Sequence, residues 1–219
     1  MQVAIKQIVV PPGNQLLLKD VSWQQYQEIL ANFGESCSAR ISYSNGLLEI
    51  MVPLPEHEDN KVIIGDLVKV ILEELDIEFR SLGSTTFDKE SMAAAIEPDD
   101  CFYIQNEAAV RGKKRLDLNV DPPPDLAIEI DITSRTRLAS YQNLGVPELW
   151  RFNGSKLEIN IWQAGKYIES NQSLIFPNFP ITEVIPQYLE QSKIIGRNAT
   201  MKLFRSWLRN PKHHNLPRT

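Results

Sequence analysis

The clearest feature of the hydrophobic pattern is an apolar run that two acidic residues interrupt. The run follows three prolines and consists of Leu126, Ala127, Ile128, Ile130 and Ile132. A short and nearly continuous apolar run of this kind predicts a buried strand. Because residues i and i+2 of a strand point to the same face, Glu129 and Asp131 are predicted to lie side by side. Two such carboxylates repel each other and lose hydration, so a metal ion or a cationic side chain would relieve both costs.

The rest of the pattern predicts helices that alternate with short strands. Apolar residues at helical spacing predict helices over 20–34, 58–75, 134–144, 182–191 and 198–208. Asp20 or Ser22 is predicted to cap the first helix and Gly34 to end it. Strands are predicted over 40–43, 47–51, 77–82, 85–87, 100–104, 148–152, 156–163 and 166–169, with hairpin turns at Asn45-Gly46, Asn153-Gly154 and Ala164-Gly165. This order predicts an α/β (α+β) fold, with a mixed β-sheet flanked by helices and with N-terminal and C-terminal helical additions.

Length and composition narrow the class of protein. The chain has 219 residues and is 42% hydrophobic, which suits one globular domain or one domain with an appendage. No apolar run approaches the roughly 20 residues of a membrane helix, and the first residues lack the apolar core of a secretory signal. Cys37 and Cys101 do not make a disulfide framework, so we expect a cytoplasmic protein.

Charge is distributed unevenly along the chain. The net charge of −5 does not suggest a dedicated nucleic-acid binder. The last segment, 191–219, nevertheless contains seven basic residues and no acidic one. It is either a solvated basic helix and tail or an arm that contacts phosphates or a partner. We therefore predict a main domain over 1–192 and a basic C-terminal helix and tail over 193–219.

A second acidic segment lies upstream of the buried strand. Asp99 stands at the start of a short apolar strand, thirty residues before Glu129. One or two carboxylates, with water and substrate phosphate, are the usual ligands of Mg²⁺ in proteins. Such an ion activates water and stabilises charge on a phosphoryl oxygen. The alternative is that Glu129 pairs with a buried Arg or Lys and that Asp99 only ends a strand.

Three segments taken in order resemble a known family. They are Glu-Pro-Asp-Asp-Cys-Phe-Tyr-Ile at 97–104, Pro-Pro-Asp-Leu-Ala-Ile-Glu-Ile-Asp-Ile-Thr-Ser at 123–134 and Tyr-Gln-Asn-Leu-Gly-Val-Pro-Glu-Leu-Trp-Arg-Phe at 141–152. With Pro-Leu-Pro-Glu-His-Glu at 53–58, they are similar to the Uma-type restriction endonuclease family, which is abundant in cyanobacteria and belongs to the PD-(D/E)XK nuclease superfamily. The resemblance implies a restriction-endonuclease-like domain with a core at about 40–170.

The resemblance also implies roles for individual residues. Asp99 and Glu129 match the two acidic metal ligands of the motif. Asp131 stands where the general pattern has a lysine, which would orient water and stabilise the phosphate. Arg137 or Arg135 could replace this lysine, and Arg137 better matches the family's basic position. Arginine stays protonated, so it would stabilise charge and not act as a base. Asp131 is then a third carboxylate at the metal or a salt-bridge partner of Arg137.

The start of the long helix holds two further candidates. In this superfamily an acid from an early helix often joins the metal shell, which makes Glu56 a candidate ligand, although acids also favour a helix N-terminus. His57 could shuttle a proton or be structural.

Two functions remain open at this point. The first is an endonuclease that depends on Mg²⁺ or Mn²⁺, hydrolyses phosphodiester bonds in DNA and acts as a homodimer. The second is a catalytically inactive module with the same fold.

Overall fold

The computed structural model describes residues 8–33, 39–89, 94–132, 135–210 and 212. In these residues the strands are β1 (Gln15–Leu18), β2 (Arg40–Ser44), β3 (Leu47–Met51), β4 (Arg80–Ser81), β5 (Phe87–Lys89), β6 (Ala94–Ile96), β7 (Asp100–Tyr103), β8 (Leu126–Ile130), β9 (Glu148–Phe152), β10 (Leu157–Gln163) and β11 (Lys166–Ser170). The helices are α1 (Trp23–Phe33), α2 (Pro55–Glu74), α3 (Glu107–Val110), α4 (Leu138–Gln142), α5 (Ile181–Ile195) and α6 (Arg197–Leu208). None of these helices is long and apolar enough to cross a membrane.

The described strands form two sheets, whereas the sequence predicted one mixed sheet. The first sheet is antiparallel and has the order β1-β3-β2-β6-β5. The second has the order β11-β10-β9-β8-β7-β4 and is mixed, because β8 and β9 run parallel while the other neighbours are antiparallel. The predicted class, a mixed α/β fold with flanking helices, is confirmed. The division into two sheets depends on pairing between distant strands, which a local pattern does not encode.

Strand β8 lies between β9 and β7 in the middle of the six-stranded sheet, and every residue in it is buried. One face of the strand joins the main core, with side chains from α2, α5 and α6, through Leu126, Ile128 and Ile130. The opposite face holds Ala127, which packs in a second core that includes Tyr141. Because side chains alternate along a strand, Glu129 lies on the face of Ala127. The strand ends one residue before Asp131.

Helix α2 brings a predicted site segment against the buried sheet. It begins at Pro55, three residues before the predicted start, and proline suits the first helical turn because its φ is already helical. Its apolar face enters the main core through Ile63, Ile64, Leu67, Val68, Ile71 and Leu72. The same packing buries His57, in the first turn, completely.

Local signals for turns and caps were the most reliable part of the sequence pattern. The predicted cap at Ser22 is confirmed, because the Gln25 N–H donates to Ser22 Oγ at 3.2 Å and Gln25 Oε1 accepts the Ser22 N–H at 2.8 Å. Asn45 and Gly46 both have positive φ, 48° and 81°, and join β2 to β3 as predicted. The predicted helix end at Gly34 lies outside the described residues.

Two predicted elements are shorter in the structure. In the segment predicted as strand 77–82, Ile77 donates its N–H to Leu72 O at 2.9 Å after Asp76, whose φ of 54° is left-handed. This arrangement satisfies the last carbonyls of α2, and only β4 remains as a strand. The helix predicted over 134–144 is the shorter α4, and residues 133 and 134 lie outside the described part.

The C-terminal helix α6 packs on α2 and adds to the main core. Its buried apolar residues in that core are Met201, Phe204 and Leu208. Its arginines also meet acids of α2: Arg197 Nε lies 2.5 Å from Asp66 Oδ2, and Arg209 Nε lies 2.7 Å from Glu74 Oε2. Helix α5 runs through the domain boundary proposed at residue 192. The described residues of the basic segment therefore pack in the main core and against α2.

Candidate active site

A small cavity collects most of the residues that the sequence singled out. Its volume is about 60 Å³, which is room for a few water molecules. Strands β2, β3 and β8 contribute to its wall, together with the segment before β7 and the start of α4. The charged residues in this wall are Arg40, Glu49, Glu97, Asp99, Glu129 and Arg137.

Asp99 lies directly before β7, and its side chain is 2% exposed. Its Oδ2 atom accepts the Ile130 N–H at 2.7 Å, which fixes the carboxylate beside the end of β8. The same oxygen lies 3.1 Å from His57 Nε2, and Oδ1 lies 3.0 Å from Arg40 Nε. The Oδ1 atom is buried but has no donor aligned for a hydrogen bond among the described residues. This oxygen therefore keeps acceptor capacity toward a ligand.

Glu129 is the most strongly perturbed acid of the cavity. Burial and the nearby charge of Asp99 raise its pKa well above the usual range of a carboxyl group. The Tyr141 hydroxyl donates a hydrogen bond to Glu129 Oε1, which opposes the rise without cancelling it. Without a bound cation, the carboxyl therefore holds its proton to higher pH than a solvated one. A cation would favour the ionised form.

Arg40 is a residue of this site that the sequence reasoning missed. Besides Asp99, its guanidinium contacts Glu58 Oε1 at 3.1 Å and donates to Pro98 O at 3.3 Å. Burial lowers its pKa, but the charge of Asp99 and the bond to Glu58 outweigh this effect and raise it. It begins β2, far from Asp99 in sequence, and no local motif marks it.

The start of α2 contributes differently from the prediction. The buried His57 ring lies between Asp99 and Glu58, with Nδ1 at 3.3 Å from Glu58 Oε1. Glu56, which we considered as a metal ligand, is exposed and does not line the cavity. The helix turns the Glu56 side chain to solvent, and Glu58 carries the contacts to Arg40 instead.

Asp131 is not paired with Arg137 as we considered. Its Oδ2 accepts a hydrogen bond from Arg151 Nε at 2.8 Å and lies 2.5 Å from Arg151 Nη2 in an ion pair, and its Oδ1 accepts the Thr136 N–H at 2.8 Å. Arg151 is the strand partner of Glu129 on β9, and the Asp131 N–H donates to Phe152 O at 2.6 Å, so backbone pairing with β9 continues one residue beyond Ile130. Asp131 faces a separate polar pocket that Arg151 also lines.

The two candidate replacements for the missing lysine lie in different places. Arg137 lines the cavity together with Glu129, but it stands directly before α4 and not one turn into the helix. Arg135 is 73% exposed and lies 3.3 Å from Glu158 Oε2, in the polar pocket of Asp131. Of the two, only Arg137 faces the cavity.

Two further acids line the cavity that the sequence reasoning did not single out. Burial raises the pKa of Glu49, and the charge of Arg137 partly opposes this rise. Burial also raises the pKa of Glu97, against the opposing charge of Arg40. Acids thus outnumber arginines in the cavity wall, and this excess favours a cation.

The donor set fits a hard divalent ion held by few protein ligands. Within the described residues, no group of three or more His, Cys, Asp or Glu side chains is arranged to hold a metal ion. Mg²⁺, however, needs only one or two carboxylates, because water and substrate complete its shell. Asp99 and Glu129 supply two carboxylates, one with an unsatisfied oxygen and the other with a raised pKa.

Comparison with known proteins identifies the family. No curated protein matches the chain. A solved structure, described as a "putative nuclease belonging to DUF820 from Anabaena variabilis ATCC 29413", has 11% identity and a TM-score of 0.47, and the match covers 83% of this chain and 99% of that one. Nothing about function follows from so distant a likeness. The model of the Uma2 family, described as "Putative restriction endonuclease", matches residues 23–190, which is well over half of the sequence. The chain therefore belongs to the Uma2 family of restriction-endonuclease-like proteins.

Proposed function

We propose that this protein is a metal-dependent endonuclease that hydrolyses phosphodiester bonds in DNA with Mg²⁺ or Mn²⁺. The observation that carries the proposal is the burial of Asp99 and Glu129 in one cavity, where burial and the charge of Asp99 together raise the pKa of Glu129. Two acids placed in this way are unstable as a pair of anions, and a divalent ion relieves the repulsion. Membership of the Uma2 family supports nuclease chemistry.

Four side chains at or beside the cavity have distinct tasks in this proposal. Asp99 and Glu129 would hold the ion, which supplies an activated water and charge neutralisation at the phosphate. Arg40 restrains Asp99 through its contact with Oδ1. Tyr141 orients Glu129 through its hydrogen bond to Oε1.

Arg137 is the cation that we assign to the phosphate. Its guanidinium stays protonated, so it would stabilise developing negative charge and would not remove a proton from water. Both arginines are exposed, but Arg137 lines the cavity with Glu129, whereas Arg135 lines the polar pocket of Asp131. The volume of the cavity suits an ion with its water and one phosphate oxygen, while the rest of the substrate would lie outside.

The test is cleavage of plasmid and linear DNA by purified protein in Mg²⁺, in Mn²⁺ and in EDTA. We expect cutting with either metal, none in EDTA, and none by Asp99→Asn or Glu129→Gln. Glu169→Gln is the matched control, because Glu169 is 58% exposed on β11 and does not line the cavity. Equal cutting by all variants would identify a contaminating nuclease and refute the assignment.

The alternative function is a catalytically inactive nuclease-fold module. It is favoured by Asp131 at the position where the superfamily has lysine, since Asp131 is bound to Arg151 and brings no charge to the phosphate. This alternative predicts neither cleavage nor stabilisation by divalent ions. A thermal unfolding series in Mg²⁺ and Mn²⁺ distinguishes the two, because only a protein that binds the ion gains stability.

We also propose that the active form is a homodimer, since cutting both strands of DNA takes two active sites. Sedimentation equilibrium in the presence and absence of a duplex oligonucleotide tests this proposal. A monomer under both conditions would contradict it.

A further inference from the structure

We propose that the buried ion pair between Asp131 and Arg151 is a positioning device that holds Arg137 at the active-site cavity. The effect of this ion pair on catalysis rests on the proposed nuclease function, but its effect on the position of Arg137 does not. Both side chains are nearly excluded from solvent, with 4% exposure for Asp131 and 3% for Arg151. Neither lines the cavity itself, so neither would touch the substrate there.

The pair connects strand β9 to the backbone that carries Arg137. Arg151 lies on β9 and binds Asp131 Oδ2 through both Nε and Nη2. The second oxygen, Oδ1, accepts the backbone N–H of Thr136 at 2.8 Å. Thr136 is the residue before Arg137, and both line the cavity. One carboxylate therefore ties the approach to α4 to β9, an interior strand of the six-stranded sheet.

Helix α4 needs such an anchor because it has little intrinsic stability. It has five residues, and its N-cap, Arg137, makes no side-chain capping bond. Isolated helices of this length are far below the length at which helices become stable in water. Arg137 itself has extended backbone angles, φ −82° and ψ 112°. Its position therefore depends on tertiary contacts on both sides, the buried Tyr141 of α4 and the bond that holds Thr136.

The geometry of the pair favours arginine. The planar guanidinium of Arg151 holds two nitrogens in fixed positions against one oxygen, Asp131 Oδ2, whereas a lysine ammonium is a single flexible point charge. Arg151→Lys keeps the positive charge but loses this two-point contact. It is therefore a sharper test than a neutral substitution, which would leave Asp131 buried without a partner.

Glu49 reports the position of Arg137 without any need for catalysis. Burial raises the pKa of Glu49, the charge of Arg137 lowers it, and the charge of Asp131 raises it. If Arg137 moves away, the pKa of Glu49 must rise. If Asp131→Asn leaves Arg137 in place, the pKa of Glu49 must fall instead, because only a negative charge has been removed. The sign of the change therefore separates displacement of Arg137 from simple loss of charge.

The first experiment is a carboxyl-carbon NMR titration of Glu49 in the metal-free protein. We expect a higher pKa of Glu49 in Arg151→Lys, similar to that in Arg137→Gln, and also a rise in Asp131→Asn. Arg135→Gln is the matched control, since it removes a guanidinium from the same segment but one that is paired with Glu158 and does not line the cavity. An unchanged pKa in Arg151→Lys, or a fall in Asp131→Asn, would overturn the proposal.

The second experiment measures DNA cleavage. A displaced Arg137 should lower kcat about 100-fold, the scale expected when a group is misplaced by about 1 Å. Arg151→Lys combined with Arg137→Gln should be no slower than Arg137→Gln alone, because both changes remove the same contribution. The Kd for Mn²⁺ should stay within about twofold of the parent. Additive losses in the double variant would overturn the proposal. If the parent does not cut DNA, the proposed function fails, and the Glu49 titration still decides whether the device positions Arg137.

Discussion

Substitution of Glu129 by glutamine gives the most direct test of the electrostatics of the cavity. Burial and the charge of Asp99 raise the pKa of Glu129 well above its unfolded-state value near 4.5. Glutamine keeps the shape and can still accept the hydrogen bond from Tyr141, but it does not titrate. We therefore expect the metal-free variant to be as stable as the parent at low pH and more stable at high pH.

The direction of this stability difference between variant and parent follows from proton linkage. The folded protein binds the proton of Glu129 more tightly than the unfolded chain, so the group contributes stability that is fully present below about pH 4.5. That contribution is lost as the pH rises from there to the folded-state pKa. Each pKa unit corresponds to about 1.4 kcal/mol. Within this window, the parent should therefore lose about 1.4 kcal/mol of stability relative to Glu129→Gln for each unit that the pH rises.

The assay is urea unfolding of parent and variant in EDTA, at half-unit steps from about pH 5 to about pH 9. A second series adds Mn²⁺ at about 100 times its Kd, which should stabilise the parent by about 2.7 kcal/mol and the variant by much less. If the free energies of unfolding of parent and variant change in parallel with pH, Glu129 has the same pKa in the folded and the unfolded protein. That result would refute the reasoning. Equal stabilisation of both proteins by Mn²⁺ would remove Glu129 from the ligand set.

Three further outcomes test other parts of the structure. Gly65→Ala should lower the free energy of unfolding by about 1–3 kcal/mol, because the new Cβ would lie 2.4 Å from the buried Asp100 Oδ2. Urea unfolding measures this loss of stability. Phe204→Ala should cost about 3–5 kcal/mol, since α6 is part of the main core, whereas a free arm would tolerate the change without a shift in the urea midpoint. Burial would raise the pKa of Glu58, but hydrogen bonds from its two cationic neighbours lower it to about 2. The contribution of Glu58 to stability is therefore present above about pH 4.5 and lost as the pH falls toward about 2. In Glu58→Gln, the free energy of unfolding should fall less steeply over this acid range.

The sequence indicated the acids of the site better than their partners. Glu129 could be predicted because a charged residue inside an apolar strand is unusual, and the pattern is visible within a few residues of sequence. Arg40 and Arg151 could not, because each meets its carboxylate through strand neighbours distant in the chain. The partner of Asp131 could not be predicted for the same reason, because Arg151 lies on the neighbouring strand β9.

The division of charge in the cavity determines what a metal ion must compete with. Arg40 neutralises Asp99 and Glu58, and its pKa is raised, so it remains a cation at every relevant pH. Glu129 has no arginine in direct contact among the described residues, and its raised pKa means that a proton neutralises it instead. A divalent ion entering the cavity would therefore displace a proton from Glu129 while Arg40 stays in place. Metal affinity should accordingly rise with pH up to the folded-state pKa of Glu129, and binding should release a proton that calorimetry in buffers of different ionisation enthalpy can count. Binding without proton release would mean that the ion takes Asp99 from Arg40 and not Glu129 from its proton.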